Sequence, residues 1–120
     1  MTGNRDLAAA LMVVVVSFIG VGFANGYFAE LESEVGYREL AFLVPVVALL
    51  PLIRSTLRWT ALATGIVGVF GLVLAAYNLA TFPGDKLGPP AIGLILVLLF
   101  TFFAFRAYLT EGRSERRGAL

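Results

Sequence analysis

Glu30, Glu32 and Glu34 form the only close cluster of acids in the chain. Carboxylates suit calcium, but a calcium loop also needs Asp, Asn and Gly at set spacings, and those are missing here. No metal site is expected from them. The chain has no cysteine and no histidine, which removes zinc centres, thiol redox chemistry, His-ligated haem and any Ser-His or Cys-His nucleophile pair. Catalysis inside a membrane needs a nucleophile with its base, or a metal with its ligands. Neither pattern is present, so the chain is not expected to be an enzyme or to hold a cofactor.

The remaining polar candidates are Ser17, Asn25, Thr64, Asn78 and Thr101. A hydroxyl on an apolar helix tends to bond its own backbone one turn back. An asparagine near a membrane interface meets water or a neighbouring helix. Pro45 and Pro51 lack an amide hydrogen and would free the carbonyls of Ala41 and Val47. Such carbonyls can hold a cation at a broken helix, although proline in membrane helices more often only kinks them. Asn25, Pro45, Pro51 and Asn78 are therefore the polar or hinge candidates.

The elements that would carry these residues are membrane spans. The chain is 59% hydrophobic and 14% charged, with a mean hydropathy of +0.90; a soluble domain carries roughly 25% charged residues. Apolar runs predict helices over about 7–27, 37–57, 59–81 and 90–108. Asn25-Gly26 supplies a stop for the first, and Pro89-Pro90 suits the start of the fourth. A signal peptide is the rival reading of the first run, but its apolar stretch is longer than the usual ~7–15 residues. The second run spans only if it reaches from Tyr37 to Leu57. Residues 28–39, with Glu39, are read as an outer connection, and no acid is expected between the interfaces.

Residues 1–109 thus form an all-α, four-helix transmembrane bundle, up-down-up-down, followed by a basic cytoplasmic tail over 110–120. Arg54 and Arg58 sit in the connection between the second and third spans, and Arg106 lies at the end of the fourth. With these inside, Arg5, Arg113, Arg116 and Arg117 are inside too, against Arg38 and Lys86 outside. That asymmetry predicts a multi-pass protein, expected in the cell membrane, with both termini cytoplasmic. The formal net charge of +1 gives no reason to expect nucleic acid.

Small residues recur at helical spacing as Ser17, Gly20 and Ala24 on the first span, and as Gly65, Gly68, Gly71 and Ala75 on the third. In lipid, helices approach where small residues let backbones touch. Matching depths predict that the first and third helices cross closely. Phe100–Phe105 is read as lipid-facing packing. The partners expected are the lipid bilayer and either the chain itself or another membrane protein. A structural or accessory subunit working through helix packing is the first functional reading; a small oligomeric channel or transporter is the alternative.

Overall fold

The structure, a computed structural model, describes residues 3–26, 33–55, 57–82 and 84–119. Among these it is all-helical. Four helices, α1 (Asn4–Ala24), α2 (Ser33–Leu49), α3 (Arg58–Thr81) and α4 (Gly88–Ala119), follow one another, with a single 3-10 turn over Gly84–Lys86 before the last. α1, α3 and the Gly88–Glu111 part of α4 are each long and apolar enough to cross a membrane. Residues 27–32, which include Glu30 and Glu32, lie outside the described residues.

Helix ends follow local chemistry. α1 stops at Ala24, and Gly26 takes φ +75°, a left-handed conformation that glycine adopts without steric cost. α2 differs from the expected 37–57 at both ends. It has 17 residues, ~25 Å at the helical rise, and closes at Leu49 because Pro51 offers no amide hydrogen and disfavours helical backbone at Leu50. Pro45 stands inside α2 without ending it, while Pro51 lies in the turn beyond. α4 continues through what the sequence suggested was a separate tail, reaching Ala119 over 32 residues. No proline interrupts that stretch.

α4 packs along α3 on one side and α1 on the other, and α2 packs mainly against α3. The close crossing of α1 and α3 is not found: the two share no extended contact. The glycines of α3 face other neighbours. A Cβ at Gly65 would lie 2.7 Å from the Phe105 ring, one at Gly68 1.9 Å from Thr101 Oγ1, and one at Gly71 2.6 Å from the Phe42 ring. Large side chains of α4 and α2 therefore fill the space that small ones of α1 were expected to take. Ser17, Gly20 and Ala24 are exposed on the outer face of α1, with open space above Gly20. The Phe100–Phe105 cluster is likewise divided, for Phe100 is fully buried and Phe102 is exposed.

Thr64 and Thr101 donate to the carbonyls of Thr60 and Val97, both at 2.7 Å. These bonds to the preceding turn satisfy hydroxyls that would otherwise be unpaired in the core.

Candidate ligand cavity

Towards the end where α1 and α3 finish and α2 and α4 begin, a partly open cavity of about 270 Å³ lies among the four helices. Its walls explain its existence. Gly22, Ala75, Gly93, Pro89 and Pro90 all line it, and none has a side chain long enough to close the space. Val15, Ile19, Phe42, Leu74 and Val97 complete a mostly apolar surface.

Two polar side chains in this wall are almost wholly enclosed: Glu39 is 8% exposed and Asn78 is 4% exposed. Asn78 Nδ2 donates to Glu39 Oε1 at 2.8 Å, and Asn78 Oδ1 is buried with no hydrogen-bond partner among the described residues. The sequence placed Glu39 in the outer connection. α2 begins at Ser33, so Glu39 belongs to the helix rather than to a loop. It heads a buried face with Phe42, Val46 and Leu49, at spacings of three, four and three. Opposite, Gly71, Ala75 and Asn78 are buried along α3 at spacings of four and three. The two faces meet twice, at Phe42 over Gly71 and at Glu39 with Asn78.

The electrostatics of this pair are unbalanced. An ionised carboxylate offers about four acceptor sites, and Asn78 fills one. Among the described residues no cationic side chain lies within salt-bridge distance of Glu39. Arg38, its neighbour along α2, stacks its guanidinium 4.8 Å over the Tyr77 ring. A buried carboxylate without a cationic partner costs several kcal/mol, on the order of its lost hydration. The cavity therefore presents unused acceptor capacity at one wall and apolar surface elsewhere.

Other candidate residues lie apart. Asn25 lines the cavity but is exposed, and Pro45 and Pro51 do not line it. Gly65 and Gly68 sit farther along α3, against α4.

The opposite end of the bundle is closed by Arg5. Its guanidinium forms a two-pronged ion pair with Glu111, the Nη2–Oε2 arm measuring 2.9 Å. It also donates to the carbonyls of Ile53 and Leu57 and to Thr60 Oγ1, the last two at 2.8 and 2.9 Å. One side chain thus ties α1, α3, α4 and the α2–α3 connection together. Arg58 donates to the Tyr108 carbonyl at 3.1 Å and stacks 3.9 Å from the Tyr108 ring centre. Arg54 pairs with Asp6 at 3.2 Å on the exposed surface, where such pairs contribute little. Arg106 stacks over Phe102.

Fold and site together define, among the described residues, an all-helical chain with three helices able to cross a membrane and a partly open, mostly apolar cavity. No family model matches the chain, and no match is found among curated proteins or solved structures.

Proposed function

We propose that this chain is a small multi-pass membrane protein that binds a small molecule inside its helix bundle and acts as a carrier for it. The observation that carries the reading is the cavity with Glu39 and Asn78 in its wall. Its ~270 Å³ is close to the lower bound of about 300 Å³ for small-molecule sites, which are typically apolar with a few placed polar groups. The role is binding rather than catalysis.

The helices cross alternately in this reading, with both termini cytoplasmic. Support comes from the antiparallel pairings Gly65 with Phe105 and Gly71 with Val97, Glu39 with Asn78 and Arg5 with Glu111. Orientation rests on the arginines gathered at one end, and in intact cells a cysteine at Ser55 that reacted with an impermeant thiol reagent would reverse it. α2 crosses as the shortest segment, its charged first turns at the outer interface. The cell membrane is the proposed location.

A second reading has its own observation. The outward stripe Ser17, Gly20 and Ala24 on α1 suits close packing against another copy or another membrane protein, which is the accessory role. Native mass spectrometry of the chain released from detergent-free lipid particles separates the two. The carrier reading expects a retained small molecule that is lost in Ala75→Phe, which fills the cavity. A bare chain whose dimer dissociates on Gly20→Leu would instead favour the accessory role and overturn the carrier.

A further inference from the structure

The chemistry of the cavity wall narrows the class of molecule it takes. This step rests on the carrier reading and specifies its ligand. Among the described residues, the only hydrogen bond to the Glu39 carboxylate comes from Asn78 Nδ2. The other face of the same amide, Oδ1, is buried and unpartnered. Both residues line the cavity. Buried acceptors left without donors beside apolar surface are costly, and a ligand that brings donors removes that cost. A positive charge on the ligand supplies in addition a cation within salt-bridge distance of Glu39, which no described side chain does. Charge-assisted hydrogen bonds of this kind are roughly twice as strong as neutral ones.

Size decides between a bare metal cation and an organic one. About 270 Å³ is many times the space one water needs, and a hard cation requires six or more oxygen ligands at short range. The cavity offers Glu39, Asn78 and the exposed Asn25, with aliphatic and aromatic walls from Val15, Phe42, Leu74 and Val97. We propose that the cavity binds a small organic ammonium ion: a protonated primary amine on an apolar body, its N–H groups received by the Glu39 carboxylate and Asn78 Oδ1, its hydrocarbon part against the α1, α3 and α4 walls. The apolar body provides affinity through burial, and the Glu39–Asn78 pair provides selection for charge.

The test uses the full chain in lipid nanodiscs, with empty nanodiscs as the partition reference. Binding of hexylammonium and of the uncharged 1-hexanol is measured by calorimetry. Hexylammonium is expected to bind at least ~10-fold more tightly than hexanol, and Glu39→Gln is expected to abolish the difference while leaving hexanol binding in place. Equal affinity of the two probes for the wild-type chain overturns the ammonium assignment and leaves the carrier reading standing. Failure of both probes to bind above the empty-disc reference overturns both. The wild-type comparison needs no variant to fold, so it decides the matter even if Glu39→Gln proves unstable. A preference for hexylammonium that survives in Glu39→Gln also overturns the proposal, because it places the charge selection elsewhere.

Discussion

Gly68→Ala is expected to destabilise the bundle, although alanine is the better helix former. The new Cβ would stand 1.9 Å from Thr101 Oγ1, 2.9 Å from Thr101 Cβ and 3.1 Å from the Phe100 ring. Thr101 cannot simply turn away, since its hydroxyl donates to the Val97 carbonyl at 2.7 Å. Phe100 is fully buried, so its ring has no free volume into which to retreat. Overpacking of this kind costs about 1–3 kcal/mol, whereas the gain from replacing a helical glycine is only about 1 kcal/mol. The clash wins, and Gly68→Leu is worse. Gly20→Ala is the control: nothing lies within 4 Å of its Cβ, so only the propensity gain operates. Unfolding in mixed micelles should therefore place Gly68→Ala below the parent and Gly20→Ala at or above it. Equal stabilities would mean that α3 and α4 do not meet at this register.

Arg5→Ala has the second large effect. The guanidinium is 14% exposed and Glu111 is 33% exposed, so the pair is partly shielded rather than wholly buried. Removing the arginine leaves the Glu111 carboxylate without its two-pronged partner. The carbonyls of Ile53 and Leu57 lose a donor as well. Charged hydrogen bonds contribute about 1.5–3 kcal/mol each when removed singly, and the exposure of Glu111 lowers that figure. A net loss of about 2–3 kcal/mol is expected. Arg5→Lys should recover only part, because an ammonium lacks the planar fork that serves carboxylate and carbonyls at once. A double-mutant cycle with Glu111→Ala isolates the ion pair from the carbonyl contacts. A coupling energy near zero would show that the pair contributes nothing.

The apolar runs made the helical membrane character legible, because uncharged stretches near 20 residues have few other solutions. Asn25-Gly26 and Pro89-Pro90 announced helix ends through chemistry that acts within one turn. Partner choice was not legible in the same way. Matching small stripes on α1 and α3 suggested a mutual contact, but a stripe of small residues says only that something comes close. Here it is Phe105, Thr101 and Phe42 that come close. The Glu39 site was missed because the acids at Glu30, Glu32 and Glu34 drew it into a loop. The signal that would have recovered it is periodic. Glu39, Phe42, Val46 and Leu49 repeat at helical spacing, as do Gly68, Gly71, Ala75 and Asn78, so a carboxylate and an amide head two apolar faces. The Arg5 staple had no such signal, since it joins residues 106 positions apart.

Glu39 lines a mostly apolar cavity among the helices rather than an outer loop. Carbodiimides add to carboxyl groups and leave an N-acylurea that peptide mass spectrometry locates, so reagent solubility reports the surroundings of each acid. In membranes, a lipid-soluble carbodiimide should modify Glu39, a water-soluble one should modify Glu34 and spare Glu39, and Ala75→Phe should protect Glu39 from the lipid-soluble reagent. Modification of Glu39 by the water-soluble reagent at the rate of Glu34 would contradict the account.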